Sequence, residues 1–301
     1  MLRNLPGSIP LGSLFGIPIR LHVTFLAVLA LQLLGSLAYG GQWVLLWFLL
    51  LGPVLLLTVL VHELGHCAAA RAVGGSAEGV LLWPLGGLAF LGHNAGPKAD
   101  MWVAVAGPLT HVPMVGAWLL LLLPAYHAST GSWHIRLDMP YPDSHHLWHA
   151  VCVGAIIINI SLFAFNLLVP AYPLDGGRLL VGGLLTAGVA PRRAAAVTIG
   201  LAVPLGLGVL AYGIVVFQAV TIMVAGFILY ATFQLFQALR ADALDRHPLF
   251  AASYGHGAAG GGGGGAAAAA GGVGSHEPYF KFDSSHAGGA GGRTPGLATN
   301  V

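Results

Sequence analysis

The sequence is dominated by apolar stretches that are long enough to cross a lipid bilayer. A transmembrane helix needs about 20 mostly apolar residues, and six stretches approach or exceed that length. Only 7% of the residues are charged, whereas about a quarter are charged in a typical soluble domain. We therefore predict an all-α polytopic membrane protein with about six transmembrane helices, at residues 23–38, 43–70, 101–123, 147–169, 194–216 and 219–239.

The two ends of the chain differ in composition from this apolar middle. Residues 1–22 contain Gly, Pro and two arginines and are predicted to form an amphipathic or extended segment. Residues 23–247 then form the membrane-embedded core. Residues 248–301 are rich in Gly and Ala, with scattered Ser and His. Because this composition offers little apolar surface to bury, we expect a disordered tail there.

Positive charges are distributed unevenly between the two sides of the predicted core. Six spans place both termini on one side, and every Lys and Arg except Arg136 falls on that side. Short loops that are rich in Lys and Arg stay in the cytosol, so we predict that both termini are cytosolic. The formal net charge of +2 is too small to indicate a nucleic-acid partner.

The second span contains the motif His62-Glu63-Leu64-Gly65-His66. On a helix, His62 and His66 lie one turn apart on one face, so both imidazoles can bind one ion. The spacing H-E-x-x-H is typical of zinc hydrolases, in which the glutamate is the general base. Burying two histidines and a carboxylate in lipid is unfavourable unless they bind something, which disfavours a chance match. The motif therefore predicts bound zinc, with Glu63 as the general base.

A third ligand is expected, because catalytic zinc sites usually have three protein ligands and an open position. Few acidic residues lie within or beside the predicted spans, and Asp175 is the leading candidate by elimination. Pro170 and Pro173 end the preceding helix, and two glycines after Asp175 allow a tight turn. Membrane proteins use such broken helices to bring a carboxylate to a buried ion. The alternative that Asp175 only caps a helix stays open.

These motifs resemble those of the site-2 protease family of intramembrane zinc metalloproteases. The resemblance covers residues 15–193 and rests on four segments: HELGH, PAYPLDGGR at 170–178, AGPL at 106–109 and LWPLGGLAF at 82–90. It implies a helical membrane core whose site faces the cytosol. It also implies that His62, His66 and Asp175 bind one zinc ion and that Glu63 activates water.

The resemblance extends to Asn166 and His111, although both depart from the family pattern. The family commonly places its Asn one residue closer to the Asp, so Val169 looks inserted here. In the family role, Asn166 would donate a hydrogen bond to the substrate carbonyl or oxyanion. At the position of His111 the family often has an Asn. A histidine there could support a metal ligand, bind the metal weakly or simply pack, and we expect the supporting role.

Residues 80–91 contain two short apolar runs separated by Gly86 and Gly87. This pattern favours a small β-hairpin after the second span. An exposed strand edge there could hold a substrate in extended form through backbone hydrogen bonds. The family resemblance supports this role, because a helical transmembrane substrate hides its amides and must unwind before hydrolysis.

Together, these features predict an intramembrane zinc metalloprotease that hydrolyses peptide bonds within or near transmembrane segments of other proteins. Its partners would be transmembrane protein substrates and the lipid bilayer, with one zinc ion per chain. The alternative is a membrane transporter or metal-handling carrier, whose buried His and carboxylate groups would form a translocation path. A carrier needs polar residues through the depth of the bilayer, whereas here they cluster near one face.

Overall fold

The computed structural model describes residues 6–92 and 95–250. These residues form a four-stranded sheet and nine α-helices. The strands are β1 (Ser8–Leu14), β2 (Ile17–His22), β3 (Ser76–Trp83) and β4 (Gly86–Gly92). The helices are α1 (Val23–Ser36), α2 (Gly41–Leu49), α3 (Leu55–Ala72), α4 (Pro97–Leu109), α5 (His111–Thr130), α6 (Leu147–Leu168), α7 (Asp175–Thr186), α8 (Pro191–Val215) and α9 (Ala219–Arg240).

Within the described residues, five helical segments are long and apolar enough to cross a membrane. They are Gly41–Ala72, Pro97–Thr130, Leu147–Leu168, Pro191–Val215 and Ala219–Arg240. The stretch that we predicted as the first span forms a shorter apolar helix, Val23–Tyr39. The prediction of a helical polytopic membrane protein is confirmed, with five long helical segments and one shorter one.

Two of the long segments are interrupted near the motifs. A π-helical turn, Leu50–Val54, joins α2 to α3 and contains Pro53, whose ring and missing N–H prevent a regular helical ladder. The second interruption is at Thr110, between α4 and α5. It makes His111 the first residue of α5, close to the HELGH motif on α3.

The predicted hairpin is present and belongs to a larger sheet. β3 and β4 pair antiparallel around a turn at residues 84–85. β1 and β2, within the segment predicted to be amphipathic or extended, form a second antiparallel pair. β2 pairs parallel to β3, with Ile19 opposite Val80, so the strand order is β1-β2-β3-β4. This parallel pairing joins segments far apart in the sequence, and local patterns do not reveal it.

One face of the sheet packs against α3. Ile19 and Leu21 of β2 are buried together with Val80 and Leu82 of β3 and with Val59 of α3. Burial of an aliphatic side chain of this kind contributes about 1.5–3 kcal/mol. These contacts fix the sheet against the helix that contains the HELGH motif.

The chain that follows α9 returns to the region around α7. Leu244, Leu249 and Phe250 are buried in one cluster with Tyr172 and Val181. Within the described residues, the packed core therefore includes Leu249 and Phe250, which belong to the predicted tail at residues 248–301. Residues 251–301 lie outside the described part of the chain, so the disorder of the tail stays a prediction.

Candidate metal centre

Helix α3 presents the HELGH motif to the protein interior. The exposed fractions of His62, Glu63 and His66 are 6%, 7% and 4%. The two imidazole rings have centroids 4.7 Å apart, as expected for residues one turn apart on a helix. The motif thus places two imidazoles and a carboxylate in a buried setting.

The other half of the site comes from the break between α6 and α7. Helix α6 ends at Leu168, and α7 begins at Asp175 after the segment with two prolines. Leu174, with φ −68° and ψ 157°, occupies the cap position, so Asp175 is the first helical residue rather than the cap. A carboxylate in the first turn is favoured by the free N–H groups and the helix dipole. The predicted broken helix is confirmed.

Side chains of the two halves converge on one point. The Nε2 atoms of His62 and His66 are 3.1 Å apart. Asp175 Oδ2 lies 3.3 Å from Nε2 of His62, and Oδ1 lies 3.3 Å from Nε2 of His66. Among residues 6–92 and 95–250, these three are the one group of His, Cys, Asp or Glu side chains close enough to share a metal ion.

This geometry fits a zinc ion. Tetrahedral zinc with nitrogen and oxygen ligands at about 2.0–2.2 Å places the ligand atoms about 3.3–3.6 Å from one another. The observed separations are close to this range, at 3.1 Å between the two Nε2 atoms and 3.3 Å between Nε2 of His62 and Oδ2 of Asp175. The charges fit as well. Two buried carboxylates, Glu63 and Asp175, lie in a membrane-spanning core, where a divalent cation would balance their charge.

Each histidine is also held at its second ring nitrogen. Nδ1 of His66 lies 2.7 Å from the carbonyl oxygen of Val103 on α4. Nδ1 of His62 lies 3.1 Å from Nε2 of His111. Such contacts orient an imidazole and select the nitrogen that is free to bind a metal. The structure thus brings His111 to the back of His62, outside the group of three that could share an ion.

Two motif glycines allow the backbone to approach these side chains. A Cβ atom on Gly107, in the AGPL segment, would collide with the imidazole of His66. A Cβ atom on Gly87, in the LGGL segment of β4, would lie 2.5 Å from Oε1 of Glu63. The backbone of β4 therefore lies directly against the carboxylate that we predicted to be the general base.

An ion pair fixes the start of α7. Nη2 of Arg178 donates to Oδ1 of Asp100 in the first turn of α4, at 2.5 Å. Both side chains are largely buried, with exposed fractions of 13% and 14%. Because Arg178 is three residues after Asp175, this contact anchors the helical turn that contains the third candidate ligand.

Asn166 lies, half-buried, in the last turn of α6, and its predicted role stays a prediction. A different asparagine on the same helix contacts the site. Asn159 is fully buried, and its Oδ1 lies 3.0 Å from Nδ1 of His111. We did not predict this residue from the sequence. The available signal was an amide side chain near the middle of the apolar run of α6, since polar residues in spans usually have a function.

Comparison with known proteins places this site in a family. The profile of peptidase family M50 matches residues 51–211. The zinc metalloprotease MJ0392 of Methanocaldococcus jannaschii is 26% identical over 238 residues, which cover 79% of this chain and 63% of that protein. Rip3 of Mycobacterium tuberculosis is 32% identical over 267 residues, which cover 80% of this chain and 64% of that protein.

Among solved structures, a site-2 protease from Methanocaldococcus jannaschii is 26% identical, with a TM-score of 0.49, and the match covers 76% of this chain and 94% of that one. The chain spans slightly less than two thirds of the length of the two curated relatives above. The matched profile covers more than half of the chain and contains both halves of the site. The chain therefore belongs to peptidase family M50.

Proposed function

We propose that this protein is an intramembrane zinc metalloprotease that hydrolyses peptide bonds within or near transmembrane segments of other membrane proteins. The observation that supports this most directly is the convergence of His62, His66 and Asp175 beside Glu63. These groups lie within a core with five helical segments long enough to span a membrane. Membership of a peptidase family supports hydrolysis of peptide bonds over other zinc chemistry.

In this proposal, His62, His66 and Asp175 hold one zinc ion and Glu63 is the general base. Zinc bound in this way supplies Lewis-acid chemistry, since it polarises a carbonyl group and makes water nucleophilic near neutral pH. Glu63 accepts a proton from the attacking water as the new bond to the carbonyl carbon forms. It then donates this proton to the leaving amine as the peptide C–N bond breaks.

Strand β4 is the proposed binding edge for the substrate. Within the described residues it is the last strand of the sheet and pairs only with β3. Its backbone approaches Glu63 at Gly87. An extended substrate segment that pairs with β4 would therefore lie beside the general base. Pairing would also compensate for the helical hydrogen bonds that a transmembrane substrate loses when it unwinds.

Asn166 is the proposed donor to the oxyanion that develops on the scissile carbonyl. Asn166 lies in the last turn of α6, before the break that leads to Asp175. The family role requires that its amide reaches the scissile carbonyl although Val169 lengthens the segment by one residue. Removal of one such donor lowers kcat by about 10²–10³ in other hydrolases.

We further propose that both termini are on the cytosolic side. The distribution of Lys and Arg supports this orientation. The sheet also supports this orientation, because β2 and β3 are neighbours in it and must lie on the same side of the bilayer. The chain between these two strands, which forms α1, α2 and α3, must therefore cross the bilayer an even number of times. The short helix Val23–Tyr39 would then cross the bilayer together with its flanking residues.

A transporter or metal-handling carrier was the competing function. It would need a series of polar groups across the bilayer. The three candidate ligands form one compact set, in which each lies within hydrogen-bond range of another. A peptidase family also accounts for the presence of Glu63 beside the ligands, which ion transport does not require.

The decisive experiment separates metal binding from hydrolysis. Purified wild-type protein and the variants Glu63→Gln and Asp175→Ala are compared for zinc content and for cleavage of a labelled single-span peptide in proteoliposomes. We expect Glu63→Gln to keep one zinc per chain while the rate falls by about 10²–10⁴, the contribution typical of a general base. Asp175→Ala should lose zinc.

Cleavage by Glu63→Gln at the wild-type rate would contradict the role of the base, and unchanged zinc in Asp175→Ala would remove this residue from the ligand set. Wild-type vesicles that transport zinc but cleave nothing would favour the carrier. If the peptide is not a suitable substrate, the Glu63→Gln protein serves as a trap, and membrane proteins that accumulate uncut with it identify the substrates.

A further inference from the structure

A buried series of hydrogen bonds leads away from the candidate metal centre. It begins at Nδ1 of His62, on the side of the ring opposite Asp175, and passes to Nε2 of His111 at 3.1 Å. From Nδ1 of His111 it continues to Oδ1 of Asn159 at 3.0 Å. His111 is 1% exposed and Asn159 is fully buried. The series connects three helices: α3, α5 and α6.

The direction of these hydrogen bonds is fixed at the far end, by Asn159. Its Nδ2 lies 2.9 Å from the carbonyl oxygen of Ala155 and 3.4 Å from Oγ1 of Thr58. A carbonyl oxygen can only accept, so the amide NH₂ group must face Ala155. The amide oxygen of Asn159 therefore faces His111.

This orientation determines the tautomer of each histidine in turn. The amide oxygen of Asn159 only accepts, so Nδ1 of His111 donates to it. In a neutral imidazole the other nitrogen then accepts, and Nε2 of His111 receives a hydrogen bond from Nδ1 of His62. Nε2 of His62 is left with a free lone pair, and this atom is the one that faces His66 and Asp175.

We propose that His111 and Asn159 are positioning residues that hold His62 in the tautomer that binds zinc through Nε2. This inference rests on the proposed metalloprotease function. Neither residue touches the reacting atoms. His66 is oriented separately, by the backbone carbonyl of Val103, so only His62 depends on side chains for its tautomer.

The break between α4 and α5 makes this arrangement possible. Thr110 ends α4, and His111 starts α5 at the depth of His62. Asn159 lies near the middle of α6, where the neighbouring residues are apolar. An amide buried in an apolar helix is unfavourable unless its hydrogen bonds are satisfied, and here both ends of the amide have partners.

The test compares two substitutions at His111 that differ in hydrogen bonding. In His111→Gln, the side-chain oxygen can accept from Nδ1 of His62 while the NH₂ group donates to Asn159, so the direction of the series is preserved. In His111→Leu both contacts are lost. Zinc affinity of the full-length protein in detergent micelles is measured by competition with a chelator at fixed pH.

We expect His111→Leu to weaken zinc binding by about 10–100-fold, the usual effect of removing a contact behind a metal ligand. His111→Gln should keep most of the wild-type zinc affinity, and Asn159→Leu should weaken zinc binding as much as His111→Leu does. The matched control is His149→Leu, which removes another buried histidine, 3% exposed, that packs on Tyr126 and lies 3.3 Å from Ser129. Its zinc affinity should equal that of the wild type.

A second measurement uses the wild-type protein and does not depend on the folding of any variant. In ¹⁵N-histidine spectra of the zinc-loaded protein, the inference requires that Nδ1 of His62 bears the hydrogen. A hydrogen on Nε2 of His62 would overturn the inference. It would also be overturned if His111→Leu bound zinc with wild-type affinity, or if the Gln and Leu variants lost zinc affinity equally. Wild-type protein that binds one zinc and cleaves peptide while His111→Leu is unaffected would overturn this inference alone. Wild-type protein that binds no zinc would overturn the proposed function as well.

Discussion

The absence of a side chain at Gly107 and Gly87 lets the backbone of two elements lie against the site. Gly107 of α4 faces the imidazole of His66, and Gly87 of β4 faces the carboxylate of Glu63. His66 is a candidate ligand and Glu63 is the proposed base. A methyl group added at Gly107 would therefore displace the ligand, whereas one added at Gly87 would displace the base.

We predict that Gly107→Ala and Gly87→Ala impair different properties. Gly107→Ala should displace His66 and weaken zinc binding by at least about tenfold, with a loss of stability of about 1–3 kcal/mol from overpacking. Gly87→Ala should displace Glu63 and lower the cleavage rate by about 10²-fold or more, because the base is misplaced, while one zinc per chain remains. Zinc content and cleavage are measured on the same preparations.

Gly183→Ala is the matched control for this pair. Gly183 lies in α7, and a Cβ atom there would meet nothing within 4 Å. Since Ala is preferred to Gly inside a helix by about 1 kcal/mol, this variant should bind zinc and cleave as the wild type does. Equal losses of zinc in the Gly107 and Gly87 variants would contradict the assignment of the two glycines to separate groups.

At the scale of elements, α7 is the helix whose position decides where Asp175 points. Its first turn is held to α4 by the ion pair between Arg178 and Asp100. We predict that Asp100→Ala lowers the free energy of unfolding by about 1.5–3 kcal/mol, the usual contribution of a hydrogen bond to a charged group. It should also weaken zinc binding, because α7 then has more freedom. Asp100→Asn, which keeps an accepting oxygen, should lose less.

The pair between Arg192 and Asp242 is a control for the effect of charge alone. It has a similar contact, 2.6 Å, but the side chains are 63% and 79% exposed. Exposed pairs contribute about 0–1 kcal/mol, and Asn tolerates the positive φ of 53° at this position. Asp242→Asn should therefore leave zinc binding and thermal stability nearly unchanged. If Asp242→Asn lost as much stability and zinc affinity as Asp100→Ala, the claim that the ion pair between α4 and α7 anchors Asp175 would be contradicted.

Local patterns predicted those elements and site residues whose determinants are close together in sequence. The spacing within HELGH indicates a shared helix face, and two closely spaced prolines, Pro170 and Pro173, favour the end of a helix before Asp175. The pairing of β2 with β3 and the contact of Asn159 with His111 join segments that are distant in sequence. No periodicity within either segment specifies its partner, so these features were not predictable from one sequence.

At the scale of the whole molecule, the chain after α9 packs against an aromatic residue close to the site. Tyr172, three residues before Asp175, is buried with Leu249 and Phe250. The ring of His247 packs edge-on against Tyr172 with centroids 5.2 Å apart. The segment at residues 244–250 thus supports the turn from which the third candidate ligand projects.

This contact makes stability in this region depend on pH. Burial lowers the pKa of His247 to about 4, from an ordinary value of 6.5. His247 takes up a proton at a higher pH in the unfolded chain than in the folded one. The contribution of neutral His247 to the free energy of unfolding is therefore complete above pH 6.5 and declines as the pH falls toward 4. At pH 5 the predicted loss is about 2 kcal/mol. Thermal unfolding in detergent, measured between pH 7 and pH 5, tests this.

His247→Asn isolates the contribution of the titrating ring from that of all other acidic and basic groups. Nδ1 of His247 accepts a hydrogen bond from the backbone N–H of Leu249, and the side-chain oxygen of Asn can replace this acceptor two residues before the donor. Asn does not titrate, so the variant should lose about 2 kcal/mol less than the wild type between pH 7 and pH 5. If both proteins lose the same stability, protonation of His247 does not weaken the segment. If the pH-dependent loss is confirmed and zinc retention falls with it, the end of the membrane core stabilises the metal centre through Tyr172.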